Sequence, residues 1–256
     1  MTPNWIDLDG VANMRDLGGL PTSGGGQVAH GVLIRSDNLQ ELPPASVARL
    51  VDELGVTDIV DLRTETEVHL EGAGPLRSIS SLVHHHHSLF TPEIVAETDT
   101  TLPWHDDRDL DRTTAEFWGG HYLGYLHGRP DSISAALRVL AGASGATIVH
   151  CAAGKDRTGT VVGLALDVAG VPHEAIVADF MATAERIDAI MARLLSRPAY
   201  AEQLRGSTVH DQAPQPLAME AVLAYAAEQF GGTAGWLRAQ GWREADVDLL
   251  RNRLRA

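Results

Sequence analysis

The sequence predicts an α/β fold, a mainly parallel sheet covered by helices on both faces and completed by a helical C-terminal part. Two observations predict it. Three short apolar runs of strand character are separated by stretches of helical spacing, which is the order that parallel sheets require. After Pro172 the apolar residues recur almost throughout at helical spacing.

The elements follow in chain order. A Gly-rich turn, Thr22 to Gly26, precedes the first run, Gly31-Val32-Leu33-Ile34-Arg35. Pro43-Pro44 opens a helix in which Val47, Leu50, Val51 and Leu54 share a face, and Gly55 ends it. Val56 to Leu62 is rich in β-branched residues and reads as the second strand. Thr64 and Glu67 have capping-box spacing and start another helix. Ser88 to Arg112 is acidic and irregular and reads as a long loop or insert. Helices are expected near Thr114–Leu126 and Ser132–Ala141, then a third strand, Ala146–His150, and a helix over about Thr158–Ala169. The C-terminal helices are expected at His173–Ala184, Arg186–Leu195, Leu217–Phe230 and Glu244–Leu254, divided by a polar break from Gly206 to Pro216.

Composition narrows the function classes. The 256 residues are 44% apolar and 21% charged, ordinary globular values. The formal charge of −14 argues against nucleic acid and anionic membranes as general partners. No segment resembles a targeting peptide or a membrane span, so a soluble cytoplasmic protein without stable membrane insertion is expected. The one cysteine, Cys151, excludes an internal disulfide, and the one lysine, Lys155, lies four residues after it.

That pair belongs to His150-Cys151-Ala152-Ala153-Gly154-Lys155-Asp156-Arg157-Thr158-Gly159, between a strand and a helix. Small residues at 152 to 154 let the backbone curl so that its N–H groups converge on an anion. The following helix adds the positive end of its dipole, and Arg157 supplies a planar fork for two phosphate oxygens. The same field acts on Cys151. A free thiol has a pKa of about 8.5, and helix N-termini and cations lower such groups to roughly 3.5–7.5. The thiolate is the nucleophilic form of a cysteine. Cys151 would then be a nucleophile facing a bound phosphate, and the expected reaction is phosphoryl transfer to sulfur followed by hydrolysis of the phosphocysteine. The plain alternative is an inert buried cysteine.

This run resembles the signature of the cysteine-dependent protein tyrosine phosphatases, in particular their atypical bacterial branch of tyrosine and lipid phosphatases. Asn13-Met14-Arg15-Asp16-Leu17-Gly18-Gly19, Gly31 to Leu39, Asp61 to Glu67 and Gly231 to Leu254 also resemble that branch, and the match is weakest between about Val83 and Arg112. The resemblance implies the cysteine-phosphatase fold as a single domain over 1–256, with a helical lid at about 184–216. It implies Cys151 as nucleophile, a phosphate cradle of Ala152, Ala153, Gly154, Lys155, Asp156 and Arg157, and Thr158 as the hydrogen-bond donor to the leaving thiolate. His150 would orient the loop. Lys155 would add a cation for a second phosphate or a lipid head group; a solvated side chain is its simpler reading.

The general acid stays open at this point. The family's Trp-Pro-Asp tripeptide is absent; Pro103-Trp104-His105-Asp106-Asp107 stands scrambled in its place. The resemblance favours Asp156. Asp61, at the end of the neighbouring strand, and the Asp106–Asp111 cluster are the alternatives, with Asp61 also readable as an ion-pair partner of Lys155 or a loop cap.

Other features are read plainly. His84 to His87 resembles a metal ligand run, but contiguous histidines more often mark an exposed strand end, and no metal or other cofactor is expected. Arg15, Asp16 and Arg63 either line the entrance or tie loops by salt bridges. Trp236 and Trp242 read as core anchors. The expected reaction is phosphate monoester hydrolysis, first of phosphotyrosine in protein, second of a phosphoinositide or small ester. A phosphate-binding module without turnover, a metal hydrolase and a sulfurtransferase are the readings from other classes. Oligomeric state is not legible.

Overall fold

The computed structural model describes residues 2–91 and 115–256. Six strands form one sheet in the order β1-β2-β3-β6-β4-β5. They are β1 (Asn4–Trp5), β2 (Arg15–Asp16), β3 (Leu33–Ser36), β4 (Val56–Asp61), β5 (Val83–His86) and β6 (Ala146–His150). β3, β6, β4 and β5 pair in parallel, and the two N-terminal strands add antiparallel. The three expected strands are therefore the centre of the sheet.

Alternation across the pleat builds a core on each face. Leu33, Val60 and Val149 enter one core, and Ile34, Ile59 and Ile148 enter the other. The second core is closed by α1 (Pro44–Ala48), which continues as a wider turn over Arg49–Glu53 and contributes Val47 and Leu50. Gly55 follows at φ +61°, in the left-handed region where glycine is favoured. The first core is covered by α3 (Ala115–Gly128), α4 (Pro130–Gly142), α5 (Asp156–Val168), α6 (His173–Ala182), α10 (Pro216–Phe230), α11 (Thr233–Ala239) and α12 (Glu244–Leu254). Trp236 and Trp242 are buried there, and the Trp242 indole N–H donates to Ser134 at 2.8 Å. Helices thus lie on both faces of a mostly parallel sheet, the expected class.

Several boundaries differ from expectation. α5 starts two residues before Thr158, because the loop closes into helix as soon as Lys155 is passed and Gly159 N–H bonds the Lys155 carbonyl. The polar break contains a one-turn helix, α9 (Val209–Gln212), whose capping box joins Thr208 and Asp211. β1, β2 and β5 are too short, or too rich in histidine, to show strand character in sequence. Among the described residues no helix is long and apolar enough to cross a membrane.

Candidate active site

β6 ends at His150 and delivers Cys151 to the base of a tight loop whose far side is the first turn of α5. Gly154 has φ +67°, and a Cβ there would lie 2.4 Å from the Ser36 carbonyl oxygen. Only glycine fits both the dihedral and the space. The loop's carbonyls are bound outward. Asn38 N–H donates to Ala152, Asn13 Nδ2 to Ala153 and Gly154, and Arg35 Nη2 to Gly154 at 2.8 Å. Committing carbonyls to the scaffold in this way is what a loop needs if its N–H groups are to serve an anion.

The scaffold around it is ionic. Arg15 Nε and Arg35 Nη1 flank the two oxygens of Asp179 at 2.8 and 2.7 Å. Although burial pushes Asp179 up, Arg15 and Arg35 hold it below the ordinary carboxylate range. Burial, with Arg35 as a like charge, lowers Arg15 to about 10. Asp16 accepts from Gly18 and Gly31 N–H. Arg15 and Asp16 therefore tie loops together, the salt-bridge alternative of their two readings.

Arg157 is buried and forked onto Glu67, with Nη1–Oε2 at 2.5 Å and Nη2–Oε1 at 2.9 Å. Burial works against its charge, but Glu67 and Cys151 raise the Arg157 pKa well above the usual value. Glu67 lies on α2 (Glu65–Glu71) and also closes that helix's capping box, its Oε2 accepting from Thr64 N–H at 2.7 Å. Glu67 is the site residue that the sequence reading missed. The capping spacing at Thr64 marked the position but not its second partner, which is 90 residues away.

The carboxylates separate cleanly. Lys155 is buried, not solvated, and its Nζ lies 3.0 Å from Asp156 Oδ1. Asp61 does not pair with Lys155, as the sequence allowed. Its carboxylate caps the Arg63 N–H and pairs with the Arg63 guanidinium, 2.6 Å at the shortest, with His150 Nε2 at 3.7 Å. Arg63 starts two residues beyond Asp61 and reaches it directly, whereas Lys155 is taken by its own neighbour Asp156. Burial pushes Asp61 up, but His150 and Arg63 hold it well below the carboxylate range. Burial lowers His150 to about 4 against the attraction of Asp61. Its Nδ1 lies 3.2 Å from the Cys151 carbonyl oxygen.

Cys151 is 2% exposed. The Thr158 hydroxyl, also buried, has no hydrogen-bond partner among the described residues. Over the loop lie α7 (Ile187–Leu195) and α8 (Pro198–Ala201). Ile187, Ile190, Met191, Leu194 and Tyr200 form an apolar cluster with Ala152 and Ala153. Arg193 binds Asp37, which itself accepts from Ala12 and Asn13 N–H; Arg197 binds Glu41 at 2.9 Å and Glu71 at 2.5 Å. The cover is thus apolar in its middle and ionic at its rim.

The histidine run occupies β5 and the residue after it. His84 meets the Leu76 carbonyl, His85 the Asp58 carboxylate and His86 the Arg63 carbonyl. Among the described residues no three metal-ligating side chains converge. The Pro103–Asp107 stretch and the Asp106–Asp111 cluster lie outside the described residues.

The model of a tyrosine phosphatase family matches residues 6–256. A tyrosine-protein phosphatase of Nostoc commune is 30% identical over 182 residues, 64% of this chain and 61% of that protein, so the chain spans about three fifths of that relative's length. A triple specificity protein phosphatase, PtpB of Mycobacterium tuberculosis, is 25% identical over an alignment covering 96% of this chain and 97% of its own. The solved structure of P. aeruginosa TpbA superimposes with a TM-score of 0.35 at 16% identity, covering 75% of this chain and 86% of TpbA.

Proposed function

Because this chain belongs to the tyrosine phosphatase family, we propose that it hydrolyses phosphate monoesters, first of all phosphotyrosine in protein, through a phosphocysteine formed on Cys151. The observation that carries this reading is the loop itself. One strand and one helix bracket the loop that carries Cys151, and Glu67 fixes Arg157 in the first turn of that helix, which supports a site for one anion. A planar guanidinium held by a buried carboxylate has a fixed orientation, which suits a phosphoryl group whose charge spreads over its equatorial oxygens.

In the reaction proposed, Cys151 sulfur attacks phosphorus as the ester oxygen leaves with a proton from Asp156. Water then attacks the phosphocysteine, Asp156 takes the water's proton, and Thr158 donates a hydrogen bond to the departing thiolate. Ala152, Ala153, Gly154, Lys155 and Arg157 bind the phosphoryl oxygens through backbone and side chain. Asp61 is the weaker candidate for the acid, because the Arg63 guanidinium engages both of its oxygens.

The engagement of Lys155 by Asp156 supports a substrate with one phosphate over one that needs Lys155 for a second. A phosphoinositide is the second reading, motivated by the triple specificity name of the relative that matches nearly the whole chain. The domain is read as one unit in which α7 and α8 act as a lid, since they pack on Ala152 and Ala153 of the loop beside the buried Cys151 and a substrate needs them to move.

Phosphate release from a phosphotyrosine peptide, a phosphoserine peptide and phosphoinositide vesicles, with chelator present and Cys151→Ser as the blank, tests the proposal. Release that vanishes in the variant and ranks the tyrosine peptide first is the expected result. Release surviving in Cys151→Ser would overturn the mechanism, and loss with chelator would point to a metal hydrolase.

A further inference from the structure

Helix α3 carries a ring into the site whose function the reaction above does not use. Tyr122 is 1% exposed, and its hydroxyl donates to Asp156 Oδ1 at 2.5 Å. Lys155 Nζ approaches the same oxygen at 3.0 Å. Among the described residues no donor reaches Oδ2. The two oxygens of one carboxylate are therefore in different states, one doubly engaged and one open.

The rigidity of the two donors also differs. Lys155 is a flexible chain with three rotatable donors. Tyr122 is wedged between Tyr125 and Phe180, with ring centroids 5.8 and 6.0 Å away. A ring packed edge-on against two others cannot follow a moving carboxylate, so it defines where the carboxylate rests. Burial, followed by Asp156, raises the Tyr122 pKa well above its ordinary value, so the phenol keeps its proton and acts only as a donor.

We propose that Tyr122 is a positioning residue for hydrolysis: with Lys155 it pins Oδ1 of Asp156, leaving Oδ2 as the atom that carries the proton. The inference rests on the phosphocysteine reading. In the first step Oδ2 gives its proton to the ester oxygen while the S–P bond forms and the P–O bond breaks. In the second step Oδ2 takes a proton from the attacking water while the S–P bond breaks and Cys151 leaves as thiolate. Tyr122 stays protonated throughout.

The charged and titratable groups facing Asp156 are Lys155 from the loop and Tyr122 and His121 from α3, with Tyr125 also coupled to it. Burial pushes Asp156 up, but Lys155 and Tyr122 hold it below the ordinary carboxylate range. A phosphate dianion in the cradle acts in the opposite sense and favours the protonated acid. Removing the Tyr122 hydroxyl takes away a hydrogen bond to the ionised form, so it moves the titration of Asp156 upward.

The test is Tyr122→Phe, which keeps the ring and its packing, assayed on aryl phosphates from good leaving groups to poor ones. Asp156→Asn, the double variant and Cys151→Ser run alongside. General-acid catalysis is worth about 10²–10⁴ in rate, and mispositioning the acid forfeits part of it. Tyr122→Phe is expected to lower kcat about tenfold or more for poor leaving groups and less than about twofold for good ones. The alkaline limb of its kcat–pH profile moves to higher pH, and the double variant is no slower than Asp156→Asn. Equal loss on all leaving groups, an unmoved limb, or additive losses in the double variant would overturn the inference while leaving the phosphocysteine reading intact. Uniform loss in Asp156→Asn removes the acid and with it the inference; activity in Cys151→Ser removes the mechanism beneath both.

Discussion

Replacing Glu67 with Gln tests the central electrostatic claim about the cradle. Glu67 and Arg157 are 0% and 1% exposed and share two hydrogen bonds. Removing one partner of a buried pair costs about 3–5 kcal/mol, because the other charge stays buried without compensation. Glutamine keeps one acceptor for Arg157 or for Thr64 N–H, which recovers about 1 kcal/mol. The net loss is about 2–4 kcal/mol, and for a chain of this size each kcal/mol lowers Tm by about 2–4 °C. The melting temperature is therefore expected to fall by about 5–15 °C. Glu65→Gln, on the exposed side of the same helix, is the control, with an effect under about 0.5 kcal/mol. Scanning calorimetry at neutral pH reads both. Inorganic phosphate in the cradle supplies a new counter-charge to Arg157, so it should raise the Tm of Glu67→Gln more than that of the wild type. Equal melting of the two variants, or no extra gain with phosphate, would refute the assignment of Glu67 as the partner that charges and orients Arg157.

Three further outcomes are expected. Gly154→Ala forces a side chain into φ +67° and against the Ser36 carbonyl; it should cost at least about 1–3 kcal/mol and abolish phosphate release, read by denaturant unfolding and peptide assay. His150 has its pKa lowered to about 4 by burial. A histidine protonated more readily unfolded than folded makes stability fall as pH drops from about 6.5 to 4; His150→Asn should flatten that part of the stability–pH curve, and an unchanged slope would contradict it. Arg193→Ala unties the rim of the cover from Asp37, so alkylation of Cys151 by iodoacetamide should accelerate several-fold; an unchanged rate would mean that α7 does not limit access.

What the chain alone determined here is local. Apolar runs at 31–35, 56–62 and 146–150 specify the inner strands because a strand buried on both faces has no other way to satisfy its side chains. Thr64 and Glu67 specify a helix start because the reciprocal hydrogen bonds lie within four residues. The run from His150 to Gly159 specifies an anion loop because small residues, a helix start and Arg157 act through adjacent backbone. Tertiary structure alone decided the partners. Glu67 finds Arg157, Asp61 takes Arg63 and not Lys155, Tyr122 meets Asp156, and Ala152 is roofed by residues near 190. Apart from Asp61 and Arg63, which are two residues apart, each of these joins groups distant in sequence that the sheet order and helix packing bring together. A carboxylate chooses among cations by distance and burial, which appear in a chain only once it has folded.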